Sequence, residues 1–272
     1  MRMTDSHLTF FPPTRDRRDA IASGFRFGHI GTHTSRTMML EELSATFSTV
    51  AVNGRSDEYA VAIIEENCLR KRTVSTRRLT LQRLRELYAF DPAVPIFRIL
   101  RRLWDVDKTS RPLVALLATL ARDPLILATA SVIVSLPKNA EFQRSAMHEA
   151  LATAGEDRFN ESTLNKVVRN AASSWSQSGH LEGRTFKFRR MVQPTPAAVA
   201  FGLYLAHAAG LAVEESLSSG WIKVLDCSAS AALKLAAAAK RQGLLDLRMG
   251  GDVIDLDLSR LDPAYLVAQR VR

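Results

Sequence analysis

The chain has few of the residues that would stabilise an extracellular protein. Its only two cysteines, Cys68 and Cys227, lie far apart, and neither belongs to a C-x-x-C pair. This spacing argues against a disulfide framework and a cysteine zinc site, and it favours free thiols in a reducing compartment. The N-terminal Met-Arg-Met-Thr is not followed by an apolar segment, so we expect no signal peptide. We therefore predict a cytoplasmic protein.

Common catalytic motifs are also missing. The sequence has no G-x-x-x-x-G-K-[ST] phosphate loop, no G-x-S-x-G nucleophile elbow and no H-E-x-x-H metal motif. Adjacent carboxylates such as Glu41-Glu42 point in different directions on a helix. His29 and His33 are spaced like two metal ligands, but Gly31 lies between them and a third ligand is lacking. We predict no catalytic residue, no metal site, no cofactor and no enzymatic activity.

A membrane-spanning segment is not expected either. The most apolar window, residues 112–136, is long enough to span a bilayer, but Arg122, Asp123 and Pro124 interrupt its centre. Two buried helices that meet at Asp123-Pro124 explain this window better. We therefore predict no membrane insertion.

Acidic residues are outnumbered by basic ones. The 272 residues include 37 Lys or Arg and 28 Asp or Glu, a formal net charge of +9. This excess predicts an acidic partner, with nucleic acid as the first candidate and an anionic membrane surface as the second. Much of it lies in residues 70–111, which hold twelve Lys or Arg and four Asp or Glu. A solvated basic face is the alternative explanation.

The first basic cluster precedes a predicted helix that starts at about Ser75. Helix N-termini favour phosphate because their N–H groups are free and the helix dipole attracts anions. Arg78, Gln82 and Arg85 follow the i, i+4, i+7 spacing and should share one exposed face, beside a buried apolar face. The residues predicted to bind DNA here are Arg70, Lys71, Arg72, Arg77, Arg78 and Arg85.

The second basic cluster spans residues 158–190, with seven basic and two acidic residues. Asn160 or Ser162 can cap a helix with a regular apolar series from Leu164 to Trp175, and Gly179 can end it. A short basic strand, residues 185–189, follows. This combination is typical of a winged helix-turn-helix. The residues predicted to bind DNA here are Lys166, Arg169, Asn170, Arg184, Lys187, Arg189 and Arg190.

A similar order of helix, glycine, leucine and hairpin recurs near residues 228–258. Asp226 or Ser228 can cap the helix, and strands 244–247 and 253–258 flank a turn at Gly250-Gly251-Asp252. This hairpin is acidic, so we expect it to face protein. The predicted fold is mainly α, a helical bundle with winged helix-turn-helix-like units and short β-hairpin wings.

We predict four segments along the chain. They are a loosely ordered basic arm (1–27), an N-terminal helical domain with a helix-turn-helix-like basic segment (28–110), a helical domain ending in a winged-helix-like unit (111–195), and a C-terminal helical unit with the acidic hairpin (196–272). Further helices are predicted from Thr34 or Ser35, from Asp57, and at 96–104, 112–122, 125–136, 140–153 and 197–209, with a polar connection between Gly210 and Gly220.

Two segments resemble a known family. Residues 63–78, IIEENCLRKRTVSTRR, resemble the signature E-N-x-L-x-K-R-[ST]-x-S-[ST]-x-[RK] of the BrxA family of BREX phage-defence systems. Residues 162–182 are similar to that family's second marker. The resemblance covers about residues 28–195; the sequence between 92 and 140 and the residues after 195 depart from it. It implies an all-helical, non-enzymatic accessory protein that binds double-stranded DNA beside other defence-system proteins.

The residues leave three functions open. The first is a DNA-binding accessory subunit of a phage-defence system. The second is a protein-interaction scaffold in the same complex, whose basic face docks on an acidic partner and whose acidic hairpin docks on a basic one. The third is a winged-helix transcription regulator, although no ligand-binding domain supports it. The sequence leaves the oligomeric state, the partner proteins and any DNA sequence preference open.

Overall fold

Helices dominate the described chain, as predicted. The computed structural model describes residues 8–12, 17–28, 30–155, 159–251, 253–262 and 264. The first six helices are α1 (Arg18–Ser23), α2 (Leu40–Thr49), α3 (Ser56–Ala60), α4 (Val74–Tyr88), α5 (Pro95–Val106) and α6 (Arg111–Arg122). The others are α7 (Pro124–Ala128), α8 (Ala130–Val134), α9 (Arg144–Gly155), α10 (Glu161–Gln177), α11 (Pro196–Ala208), α12 (Val213–Leu217), α13 (Gly220–Lys223) and α14 (Ala229–Arg241).

Polar side chains cap several helices where the sequence places a capping residue. Asn160 caps α10 by accepting the Thr163 N–H at 2.9 Å, and Ser228 caps α14. Thr73 caps α4, which therefore begins one residue before the predicted Ser75. The prediction for α2 is wrong at its start. Thr32–Thr34 forms a separate 3₁₀ turn, and α2 begins only at Leu40.

The apolar window forms buried helices that meet at Asp123-Pro124, as predicted. Every residue of α6 from Leu113 to Arg122 is buried. Asp123 caps α7 by accepting the Leu125 N–H at 3.0 Å. The second predicted helix, residues 125–136, is interrupted at Thr129 and forms two short helices, α7 and α8. Thr129 Oγ1 accepts a hydrogen bond from the indole N–H of Trp175 at 2.8 Å.

The first hairpin is shorter than predicted and has a third neighbour. β1 (Leu181–Glu182) pairs antiparallel with β2 (Phe188–Arg189). On the other side of β2, residues 139–142 run as an extended segment: Arg189 N donates to Ala140 O at 2.9 Å and Phe142 N to Lys187 O at 2.8 Å. The order in space is therefore residues 139–142, then β2, then β1. Because this segment is extended, α9 begins at Arg144 instead of 140.

The second hairpin also forms as predicted, slightly displaced along the chain. β3 (Asp246–Gly250) pairs antiparallel with β4 (Val253–Asp257), with Leu247 opposite Leu256. The predicted turn keeps Gly251 at φ 59°, in the left-handed region that glycine adopts easily, while Asp252 lies outside the described residues. The observed fold is thus mainly helical with two small antiparallel hairpins.

The described part of the predicted loose arm is packed, which contradicts that prediction. Phe10 lies edge-on to Trp221 with ring centroids 5.0 Å apart, and its carbonyl accepts the Trp221 indole N–H at 2.8 Å. Phe11 and Phe25 contact the same indole. These rings pack together because burying their apolar surface and placing them edge-on to one another are both favourable. Residues 1–7 and 13–16 lie outside the described residues.

The predicted polar connection between Gly210 and Gly220 is also wrong, because it contains α12 and leads directly into α13. Trp221 and Ile222 of α13 are fully buried. Buried apolar residues from Phe10 to Leu261 belong to one continuous hydrophobic cluster. The boundaries proposed at 110/111 and 195/196 therefore do not separate independent cores.

Candidate nucleic-acid interface

Helix α10 presents a basic outer face at its N-terminal half. Its inner face is buried at Leu164, Val167 and Trp175, which follow the predicted helical series. Lys166 and Arg169 are exposed, and no partner fixes their charged groups among the described residues. Both cations are therefore free to contact an anion.

The loop between β1 and β2 carries the next basic residues. Arg184 is exposed, whereas Lys187 is half-buried and donates to Ser176 Oγ at 2.8 Å and to Gly183 O at 3.1 Å. Arg190 is exposed and bonds Glu182 and Asn139. Phe186, at 64% exposure, projects from this loop. The loop thus holds one free cation, one cation with protein partners and an exposed ring, and Arg190, which follows β2, adds a second cation with protein partners.

Two residues predicted to bind DNA have structural roles instead. The Arg189 side chain is fully buried and pairs with the carboxylate of Asp226. Asn170 is half-buried, and its amide donates to the backbone carbonyl of His33 at 2.8 Å. A buried guanidinium cannot reach a phosphate outside the protein, so we withdraw Arg189 from the candidate interface. We also withdraw Asn170, because its amide is already bound to the protein backbone.

The basic cluster before α4 divides into free and committed side chains. Arg70 and Arg72 are exposed. Lys71 forms an ion pair with Glu42 at 3.0 Å, and Arg77 donates to the carbonyl of Ile64 at 2.7 Å. The last two therefore hold the segment against α2 and the π-helical turn Val61–Glu65, and they offer less charge to a ligand.

Arg78, Gln82 and Arg85 of α4 do share one face, and that face lines an open cavity of about 490 Å³. Arg26 and Arg122, which are not among the predicted DNA-binding residues, line the same cavity beside Ile64, Leu81 and Glu86. No sequence pattern marks Arg122 as a ligand-binding residue, because it lies in the apolar window. We call this cavity the arginine pocket.

Among the described residues, Glu86 is the one carboxylate that lines the arginine pocket, and hydrogen-bond donors surround it. It accepts hydrogen bonds from Thr32 Oγ1 at 2.7 Å, Arg83 Nη1 at 2.8 Å and Gln82 Nε2 at 3.1 Å. Burial acts to raise the pKa of Glu86, but the bonds from Arg83 and Thr32 outweigh it and lower that pKa. The charge of the Glu86 carboxylate is thus already paired with Arg83, which does not line the pocket.

Arg122 is held at the C-terminal end of α4. It donates to the carbonyls of Glu86 at 3.1 Å, Arg85 at 3.2 Å and Gly24. A cation is favourable at a helix C-terminus. Burial, and then the charge of Arg26, lower the pKa of Arg122 to about 10, so the guanidinium remains charged at neutral pH.

A buried Asp–His–Ser network lies behind this region. His33 Nδ1 is 2.8 Å from Asp123 Oδ2, and His33 Nε2 is 2.8 Å from Ser174 Oγ. Burial acts to raise the pKa of Asp123, but the charge and hydrogen bonds of His33 outweigh it and lower that pKa. His33 is not placed to bind a metal ion together with His29, because both of its ring nitrogens contact Asp123 and Ser174. His29 lies outside the described residues.

This network resembles a hydrolytic triad only in its residue types. Ser174 Oγ also accepts the Met38 N–H at 2.8 Å and donates to Asn170 O at 2.9 Å. The Ser174 hydroxyl therefore gives its proton to a backbone carbonyl and not to His33, unlike the serine of a hydrolytic triad. Ser174 is fully buried on the inner face of α10. We interpret the network as a structural link between α6, α10 and the segment before α2.

A second buried histidine is neutral. His180 Nε2 donates to Val224 O at 2.7 Å, and Nδ1 lies 2.8 Å from Ser178 Oγ. Burial lowers the pKa of His180 to about 4. Its ring lies edge-on to Trp175, 5.0 Å away. His180 therefore links the end of α10 to the segment that follows α13.

In the described ranges, no three His, Cys, Asp or Glu side chains lie close enough to hold a metal ion. Within the same residues, every helix is too short or too polar to cross a bilayer.

Comparison with known proteins provides no further assignment. No protein-family model matches the chain, and a search of curated proteins returns no match. The resemblance to the BrxA family thus rests on the two sequence segments alone.

Proposed function

We propose that the protein is a non-enzymatic double-stranded DNA-binding protein whose residues 124–192 act as a winged helix-turn-helix unit. The observation that carries the proposal is the strand order. The extended segment 139–142 precedes α9 and α10, and β1 and β2 follow them, yet β2 lies between β1 and that segment. This arrangement supports the proposal that α10 is the second helix of the pair and that the β1–β2 loop beside it acts as a wing.

In this proposal α10 enters a groove and the wing lies on the neighbouring backbone. The N-terminal half of a recognition helix is the part that usually contacts base edges, and Lys166 and Arg169 are exposed there. Arg184 would contact phosphates directly, whereas Lys187 and Arg190 already have protein partners and would have to exchange them for phosphate. The exposed arginines Arg70, Arg72, Arg78 and Arg85 provide a second phosphate-binding surface, in which Arg85 also contacts Ser56 O.

The cellular setting that we propose is bacterial phage defence of the BREX type, with other defence-system proteins as partners. This part of the proposal is supported by residues 63–78 and 162–182 alone. A scaffold role in the same complex remains the alternative, and one observation favours it: Asp255 and Asp257 of β4 are exposed. An acidic hairpin repels DNA and suits a basic protein partner.

The proposal is tested by removing the free cations of α10 and the wing. In the variant Lys166→Ala/Arg169→Ala/Arg184→Ala, duplex affinity should fall, and the slope of log affinity against log salt should decrease by about one for each lost phosphate contact. The matched control is Lys234→Ala, an exposed lysine of α14. Equal affinity and slope in the triple variant and the wild type would overturn the proposal.

A further inference from the structure

The arginine pocket has an excess of positive charge that the protein itself does not balance. Four arginines line it, Arg26, Arg78, Arg85 and Arg122. None of them pairs with a carboxylate in the described part of the chain. Their partners are backbone carbonyls: Arg26 donates to Glu86 O at 3.0 Å, and Arg85 makes a 3.4 Å contact with Ser56 O. Arg78 makes no polar contact with any described residue.

Such clustering is electrostatically unfavourable, and an anion in the pocket would relieve it. Like charges at short range repel one another, and Arg26 and Arg122 both approach the carbonyl of Glu86. The carboxylate of Glu86 does not balance them, because Arg83 and Thr32 already bind it. The remaining charge is therefore available to a ligand.

The shape and lining indicate which anion fits. Arginine donors come from three parts of the chain: α4, the segment after α1, and the end of α6. A terminal phosphate presents three oxygens and nearly two negative charges, and it can accept from several guanidinium groups at once. The pocket also has an apolar part, formed by Ile64 and Leu81, and its volume of about 490 Å³ lies in the range of small-molecule sites.

We propose that the arginine pocket binds a phosphomonoester carried on a nucleoside, with the phosphate between Arg26 and Arg78 and the nucleoside against Ile64 and Leu81. Two sources present this chemistry: a free nucleoside 5′-monophosphate and the phosphorylated 5′ end of a DNA strand. The inference deepens the proposed function, since it assigns a specific nucleic-acid group to one of its two basic surfaces. It can nevertheless hold or fail independently.

The first experiment titrates the full chain calorimetrically with deoxyadenosine 5′-monophosphate and with deoxyadenosine. The nucleotide should bind at least about tenfold more tightly than the nucleoside, because charge-assisted bonds to phosphate are lost in the latter. Arg26→Gln/Arg78→Gln should abolish most of this difference. The matched control, Lys234→Gln/Arg241→Gln, removes the same charge from exposed positions of α14, outside every proposed binding surface, and should retain the difference. Equal binding of nucleotide and nucleoside, or equal losses in both double variants, would overturn the inference.

A second arm separates the two sources. The affinities of hairpin duplexes with a 5′-phosphate end and with a 5′-hydroxyl end are measured for the wild type and for each double variant. A preference for the phosphorylated end that disappears in Arg26→Gln/Arg78→Gln assigns the pocket to DNA ends, and nucleotide binding without this preference assigns it to free nucleotides. Salt-dependent duplex binding that is lost in Lys166→Ala/Arg169→Ala/Arg184→Ala tests the proposed function separately. Duplex binding without any nucleotide binding would contradict phosphomonoester binding by the arginine pocket and would support the proposed DNA-binding function.

Discussion

Arg189 and Asp226 form an ion pair in which both side chains are buried, at 0% and 3% exposure. Arg189 also donates from Nε to Ile133 O at 2.9 Å, and Asp226 accepts the Val192 N–H at 2.8 Å. The pair therefore joins α8, β2 and the segment after α13. It fixes the first hairpin to the C-terminal part of the protein, and it explains why Arg189 is buried although Arg184 of the same hairpin is exposed.

Replacing Arg189 by Met should destabilise the protein. The change leaves Asp226 as an uncompensated buried charge, which typically costs about 3–5 kcal/mol. Urea unfolding measures the free energy of unfolding, and Arg184→Met in the exposed β1–β2 loop should change it by less than about 0.5 kcal/mol. A fully stable Arg189→Met protein with weakened duplex binding would restore Arg189 to the DNA-binding set.

The difference between Arg189 and α10 shows which features were predictable. Helix α10 was found from sequence because its cap, its apolar series and its terminal glycine all lie within about five turns of one chain segment. The burial of Arg189 depends on Asp226, which lies far away in sequence, and a basic residue after an apolar one looks the same whether or not such a partner exists. Periodicity identifies the faces of an element but not the contacts of each charge.

The same reasoning applies to the arginine pocket. The spacing of Arg78, Gln82 and Arg85 predicted a common face, and these residues do line one cavity. Arg26 and Arg122 complete it from other chain segments. Arg26 lay in a region predicted to be loose, and Arg122 lay in an apolar window, where an arginine indicates only that the window does not span a membrane.

Ser174→Ala tests the structural interpretation of the Asp–His–Ser network. The substitution leaves the buried Met38 N–H and one nitrogen of His33 without a partner, which should cost about 1–3 kcal/mol of unfolding free energy. Ser173→Ala, one residue earlier on α10 and half-buried, serves as the control. An unchanged unfolding midpoint for Ser174→Ala would contradict the structural role.

His180 should make stability fall in mild acid. Its pKa is about 4 in the folded protein against an ordinary value of 6.5, so below about pH 6.5 the unfolded chain takes up a proton that the folded protein does not. The contribution of neutral His180 to the free energy of unfolding is complete above this pH. Roughly 2 kcal/mol of the free energy of unfolding should be lost between about pH 7 and pH 5.

Chemical denaturation at several pH values measures this loss. His180→Gln should show a flatter pH dependence than the wild type in this interval, whereas His207→Gln, at an exposed position of α11, should follow the wild type. Parallel curves for the wild type and His180→Gln would show that His180 does not titrate as inferred.

Phe10→Ala tests the packing of the N-terminal segment. Phe10 is buried against Trp221 and closely approaches Gly220, so its loss should leave a cavity and cost about 3 kcal/mol. The tryptophan fluorescence of the folded protein should also change. Ile30→Ala, at a residue with 80% exposure, is the control. Wild-type stability for Phe10→Ala would favour the loose arm predicted from sequence.

The most direct test of DNA binding is fluorescence anisotropy of the wild-type protein on a labelled random duplex of about 25 bp across a salt series. We predict micromolar or tighter binding at low salt that weakens steeply as salt rises, since several free cations would each release a counterion. Absence of binding even at low salt would contradict the proposal and leave the basic faces of α4, α10 and the wing as protein docking surfaces.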